Sequence, residues 1–91
     1  MRDKVEDVLN QRENEWGNAE SNFRKTGRIW GALLGLPYDI PAYQVALMMD
    51  AFKSVRCIAN PEMMDSWNDK GGYTHLGWEI VRKANEPIET D

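Results

Sequence analysis

The sequence contains one cysteine, Cys57, and one histidine, His75, among its 91 residues. A single cysteine excludes a disulfide within the chain and a zinc site built from cysteines, so a buried free thiol is the ordinary interpretation of Cys57. A single histidine also excludes a histidine-rich metal site. The ligands of any metal ion would therefore have to be acidic side chains.

Long apolar runs and basic runs are missing as well. No stretch approaches the roughly 18 consecutive apolar residues of a membrane-spanning helix, and the first residues, MRDKVED, are charged where a signal peptide would be apolar. The net charge is −4, whereas a groove for DNA or RNA needs a basic surface. We expect a cytoplasmic protein that binds neither a membrane nor a nucleic acid polymer.

Apolar residues at helical spacing are abundant. Along the central segment, 44–56 and just beyond, they recur at steps of three and four, which is typical of one face of an α-helix. These residues are Val45, Met48, Met49, Phe52, Val55 and Ile58. We expect them to be core, and this helix to be covered on more than one side. Segments 2–15, 19–34 and 63–84 have similar spacing, so the prediction is an all-α fold, a compact bundle of about four helices.

Local signals set the predicted helix boundaries. Gly17 and Asn18 predict a helix stop followed by a new N-cap, which separates the first two helices. Pro41 suits the first turn of the central helix, and Asn60 with Pro61 suits the start of the last one.

Glycines inside the predicted helices indicate close contacts. Gly27 and Gly31 each cost roughly 1 kcal/mol relative to alanine in a helix, which favours a close helix contact or a bend at these positions. Gly71 and Gly72 predict either two short helices or one helix whose backbone a large group approaches. We favour one helix through this pair, with or without a bend.

One small domain accounts for the chain. Residues 1–84 form the predicted helical domain, and residues 85–91, NEPIETD, form a predicted flexible acidic tail. The apolar content of 42% is enough for folding but leaves little area to spare in so short a chain, which also carries four tryptophans and five methionines. We therefore expect a homo-oligomer.

The central helix carries three charged residues, Asp50, Lys53 and Arg56, spaced three apart. Charges on a mostly covered helix must be paired, reach solvent or face a ligand cleft. Two interpretations stay open from the sequence. One is a solvated stripe with an ion pair between neighbouring turns, and the other is a binding stripe.

Acidic residues on three predicted helices are candidates for a shared site. Asp65 and Asp69 lie four apart on one helix face, and Asp50 and Glu20 belong to neighbouring helices. Hard cations such as Mg²⁺ prefer oxygen ligands, and helical bundles build metal sites from facing helices. We predict a Mg²⁺ site at these four acids, with Lys53 and Arg56 placed to bind phosphate oxygens.

Several short motifs follow one another between residues 12 and 76. In chain order they are R-x3-WGN-x-E-x-NF from Arg12 to Phe23, then IW, LG, VALMM-x3-K-x2-R, and DSW-x-D-x2-GY-x2-L from Asp65 to Leu76. This succession resembles a family of small phage and prophage proteins of unknown function. That family is similar to nucleotide-modification-associated domains and more distantly to the all-α MazG-like nucleoside triphosphate pyrophosphohydrolases.

The resemblance implies a phage-type protein of the host cell cytoplasm that binds a nucleotide or nucleotide-like small molecule. As an enzyme it would be a Mg²⁺-dependent pyrophosphohydrolase of MazG-like type, with Trp67 or Tyr73 contacting the base. The MazG-like acidic signature is incomplete here, because Glu13 and Glu15 stand at a different spacing.

Two alternatives belong to other functional classes. The first is a non-catalytic phage protein that sequesters a signalling nucleotide without cleaving it. The second is a protein that binds and inhibits a host defence protein, for which the acidic surface and the aromatic content give mild support. Loss of Lys53 and Arg56 would abolish nucleotide binding and leave inhibition of a host protein intact.

Overall fold

The computed structural model describes the backbone of residues 4–86 and the side chains of residues 17–86. Over that part the chain forms three α-helices, α1 (Lys4–Leu33), α2 (Ala42–Ala59) and α3 (Met64–Ala84), and no strand. The all-α prediction is confirmed, but the chain has three helices in place of about four. Most of the predicted acidic tail, and the side chains of Glu13 and Glu15, lie outside the described part.

The predicted break at Gly17 is wrong, because α1 continues through it without interruption. Gly17 does not adopt the left-handed backbone that would end a helix; among the described glycines only Gly35, with φ of 69°, does so. One interior glycine costs about 1 kcal/mol, which a helix of 30 residues tolerates. The stop therefore lies after Leu33, where Gly35 turns the chain towards α2.

The C-terminal half of α1 packs closely on the backbone that leads into α2. The Ile40 N–H donates to the carbonyl oxygen of Gly27 at 3.1 Å. A Cβ atom on Gly27 would overlap the carbonyl oxygen of Ile40, and one on Gly31 would lie 2.7 Å from the carbonyl oxygen of Tyr38. The predicted close approach at these two glycines is present, but the contacting group is the backbone of a loop and not another helix.

Helices α2 and α3 form an antiparallel hairpin and make the largest contact in the fold. Small residues lie where the two helices approach each other. A Cβ atom on Gly77 would lie 3.2 Å from the Cβ of Ala46, and Ala46 is fully buried. The short side chains therefore bring the two backbones close together.

The predicted core of α2 is mostly wrong. Val45 is fully buried and Met49 is half-buried, but the other four predicted core residues are 43% to 82% exposed. Those four are Met48, Phe52, Val55 and Ile58. The buried apolar side chains among residues 17–86 are Ile40, Ala42, Val45, Ala46 and Cys57. Helix α2 directs its small side chains towards α3 and its large apolar side chains outwards, so it is not a central helix within one chain.

The start of α3 also differs from the prediction. Residues 60–63 form a turn, and Met63 rather than Asn60 occupies the N-cap position. The prediction of a single helix through Gly71 and Gly72 is confirmed. No group of the described chain lies within 4 Å of a Cβ built on either glycine. No described helix is long and apolar enough to cross a membrane.

The open space around two helical glycines predicts a gain in stability. Gly17→Ala and Gly72→Ala should each raise the free energy of unfolding by about 0.5 to 1 kcal/mol, because alanine loses less backbone entropy in a helix. A built Cβ meets nothing within 4 Å at either position. Urea denaturation of the two variants measures the effect, and a loss of stability in both would contradict the helix assignment there.

Candidate functional site

Two of the three charged residues of α2, Asp50 and Lys53, lie in the contact between α2 and α3. Asp50 accepts hydrogen bonds from Lys70 Nζ at 2.7 Å and from Thr74 Oγ1. Lys53 Nζ lies 3.0 Å from Asp69 Oδ2. The side chains of Asp50 and Lys53 are only 14% and 16% exposed. Both charges therefore pair with α3, and Asp50 and Lys53 do not pair with each other along α2.

The environment of Asp50 favours its charged form. The hydrogen bond from Lys70 lowers the pKa of the Asp50 carboxyl most, and the hydrogen bond from Thr74 lowers it further. Partial burial acts in the opposite direction but is the weaker influence. Asp50 is therefore a carboxylate at neutral pH, and its oxygens are occupied by donors from α3.

The four acids of the predicted Mg²⁺ site have separate surroundings. Asp50 and Asp69 pair with lysines, and Glu20 pairs with Arg24 of α1 at 2.9 Å. Asp65 is exposed in the first turn of α3. Among the side chains of residues 17–86, no group of three acids, histidines or cysteines is placed to hold a metal ion. This arrangement does not fit a cation at these acids, and the Mg²⁺ site stays a prediction.

The two predicted phosphate-binding residues, Lys53 and Arg56, have different environments. The side chain of Lys53 is mostly covered and forms an ion pair with Asp69. Arg56 is exposed and forms no ion pair with another described side chain. Only Arg56 is thus open to a ligand without breaking an existing contact.

A groove of about 520 Å³ runs along the side of α3. Its lining residues, which define the α3 groove, are Trp67, Lys70, Gly71, Thr74, His75 and Trp78. The two indoles are 49% and 59% exposed, and Gly71 leaves open space above the helix backbone between them. The groove therefore combines flat aromatic surface with a lysine and a histidine.

The two predicted base-contacting residues have different positions. Trp67 lines the α3 groove, where its Nε1–H donates to the carbonyl oxygen of Pro61 at 3.0 Å and fixes the ring. Tyr73 lies elsewhere and stacks on Phe23 of α1, with ring centroids 6.0 Å apart. Its contact is a packing contact between helices.

A scan against protein-family models matches residues 1–81 to a family described as a domain of unknown function, DUF6378. The chain belongs to this family. No curated protein and no solved structure matches the sequence. The family match confirms the coarser part of the resemblance, a domain of unknown function. Phage origin, a nucleotide-modification relationship and a MazG-like relationship stay predictions.

Three residues of the α3 groove, Lys70, His75 and Trp78, were not among the predicted site residues. A signal for them exists in the spacing, because Trp67, Gly71 and Trp78 fall on one stripe of a helix once a single helix is accepted through the glycine pair. The possibility of a break at this pair concealed that stripe.

A second, smaller cleft lies between α1 and the start of α2, with a volume of about 340 Å³. Three basic side chains of α1 line it, Arg24, Lys25 and Arg28, together with Asp39. Arg28 Nε is 3.8 Å from Asp39 Oδ2 in an exposed pair. We call this the basic cleft.

Proposed function

We propose that the protein binds a nucleotide or a nucleotide-like small molecule in the α3 groove. The observation that supports this most is the presence of two exposed indoles, Trp67 and Trp78, on either side of an open glycine backbone. A volume of about 520 Å³ is in the range of small-molecule sites. Planar bases stack on aromatic rings whatever their identity.

The polar groups of the groove suit the rest of a nucleotide. Lys70 donates to Asp50 through one N–H, and an ammonium group has two more donors for a phosphate or a sugar hydroxyl. His75 lines the same groove five residues further along α3. The groove thus offers stacking surface, one ammonium group and one imidazole on the exposed side of α3.

Binding without cleavage is the form of this function that the described side chains favour. Asp50 and Asp69 are occupied by lysines, so we derive no step through a metal ion. Mg²⁺-dependent pyrophosphate hydrolysis stays a prediction from the resemblance. Sequestration of a nucleotide requires only the groove.

A binding experiment tests the proposal. Purified protein is dialysed to equilibrium against nucleoside triphosphates, deoxynucleotides and cyclic oligonucleotides, with and without Mg²⁺, and both compartments are analysed by anion-exchange chromatography. We expect at least one nucleotide to be retained intact by the protein. Retention of none at millimolar concentration contradicts the proposal, and Mg²⁺-dependent release of pyrophosphate shows hydrolysis.

Three variants locate the site. Trp78→Ala should weaken binding of the retained nucleotide about tenfold, because loss of base stacking costs about 1 to 3 kcal/mol. Tyr38→Ala is the matched control, since Tyr38 is 61% exposed and lies outside the groove. Lys25→Gln removes a charge from the basic cleft. Loss of binding in this variant, with none in Trp78→Ala, assigns the ligand to the basic cleft.

We also propose that the protein is a homo-oligomer. The support is the small buried apolar core of the described part, which consists of five residues, of which two are alanines. A domain of this size has little core area with which to offset the entropy of folding. Additional burial against another copy would supply what the single chain lacks.

A further inference from the structure

The outer face of α2 is almost entirely apolar. It consists of Leu47, Met48, Ala51, Phe52, Val55 and Ile58, and every one of these residues is exposed. Their spacing places them along residues 47–58 of α2, on the side away from α3. We call this set the α2 outer face.

Nothing in the described chain covers this face. Helix α3 packs on the opposite side of α2, where Ala46 meets Gly77 and where Asp50 pairs with Lys70. Val55 and Ile58 are 64% and 82% exposed. Monomeric proteins rarely expose a continuous apolar patch of this kind, and such a patch usually marks a contact with another protein.

The chain as a whole exposes more area than a compact monomer of the same mass. The chain exposes 7399 Å², whereas a folded monomer of 10.5 kDa is expected to expose about 5400 Å². The difference, about 2000 Å², exceeds the roughly 800 Å² that each partner buries in a standard interface. The radius of gyration, 16.1 Å, is likewise larger than the about 12 Å of a compact domain of this length.

The lack of charge on the α2 outer face favours a second copy of the chain as its binding partner. The α2 outer face contains no ionisable side chain, so it offers no charge complement to an acidic or basic partner. Each copy carries a net charge of −4, and two such copies repel least where their contact is free of charge. A two-fold axis places the same apolar stripe on both sides of the contact, which makes the stripe self-complementary.

We propose that two copies of this chain associate through their α2 outer faces. Ala51 lies near the middle of the stripe, where its short side chain lets the two helices approach closely. In the dimer each α2 lies between its own α3 and the α2 of the partner. This inference specifies the interface of the homo-oligomer proposed above and rests on that proposal. None of the residues that line the α3 groove belongs to the α2 outer face.

Sedimentation equilibrium over a range of protein concentrations tests the interface. The wild-type chain should sediment with twice the mass of 10.5 kDa in the micromolar range. Val55→Glu places two charges in the contact, one from each copy, and should raise the dissociation constant of the dimer at least 100-fold. Leu33→Glu is the matched control, because Leu33 is 79% exposed at the end of α1 and is not part of the α2 outer face, and it should leave the dimer unchanged.

A second, milder variant tests the interface if the Val55→Glu chain does not fold as a monomer. Val55→Ala keeps the face apolar and should raise the dissociation constant about tenfold, while far-UV circular dichroism shows the helical content of the wild type. A wild-type chain that is monomeric at all concentrations overturns both the oligomer and this interface. A wild-type dimer that Val55→Glu leaves intact overturns only the interface.

Discussion

Replacement of Gly27 with alanine is expected to lower the free energy of unfolding by about 3 kcal/mol. The new Cβ would overlap the carbonyl oxygen of Ile40 and would lie 3.3 Å from Cγ2 of Val45, which is fully buried. Relief of that overlap moves α1 away from the loop and breaks the hydrogen bond from the Ile40 N–H to Gly27. Overpacking costs about 1 to 3 kcal/mol and the hydrogen bond about 1 kcal/mol, against a helix-propensity gain of at most about 1 kcal/mol.

Urea denaturation at one fixed protein concentration measures this loss, since the stability of an oligomer depends on its concentration. Gly17→Ala is the control within the same helix, because nothing lies within 4 Å of its Cβ. The two substitutions should have opposite signs although their chemistry is identical. Equal stability of Gly27→Ala and the wild type would show that α1 does not pack on this loop.

Loss of the Asp50 charge should cost about 2 kcal/mol of stability. Asp50→Asn removes the carboxylate that binds Lys70 and Thr74 while it keeps the shape of the side chain. The Lys70 ammonium, whose side chain is only 34% exposed, is then left without its partner, and a half-buried unpaired charge is destabilising. Chemical denaturation at pH 7 measures the difference.

An exposed ion pair provides the control for this substitution. Glu20→Gln breaks the pair of Glu20 with Arg24, in which the side chains are 30% and 69% exposed. Such pairs contribute less than about 0.5 kcal/mol. The double variant Asp50→Asn with Lys70→Met should lose less than the sum of the two single variants, since both charges leave together. If the losses of the two single variants simply add up in the double variant, Asp50 and Lys70 do not interact directly.

The pH dependence of stability gives a further check on Asp50. Its pKa is lower in the folded chain than in the unfolded chain, because Lys70 and Thr74 donate to the carboxylate. Its stabilising contribution is therefore complete above the unfolded value, about 3.9, and is lost as the pH falls below that value. The stability gap between the wild type and Asp50→Asn should be constant from about pH 5 to pH 8 and should shrink below about pH 4.

The sequence by itself determined the helical class and much of the helix positions. The three-and-four spacing identified α2, and the same spacing across Gly71 and Gly72 favoured the single helix α3 that the structure contains. Gly27 and Gly31 indicated a close contact because a glycine inside a helix has a cost that some other interaction must offset. These features can be read from the sequence because they depend on the backbone preferences of residues that are close together in the chain.

Only the tertiary structure decided which side of α2 faces the rest of the chain. The apolar stripe of Met48, Phe52 and Val55 was predicted to be core, but the chain packs the side with Ala46 against Gly77 instead. Small residues occupy that contact because they allow the two helix backbones to approach closely. The charged side chains nearby are tolerated because Asp50 pairs with Lys70 of α3. Hydrophobic spacing cannot make this distinction, since a face covered by another copy of the chain has the same periodicity as a face covered by the chain itself.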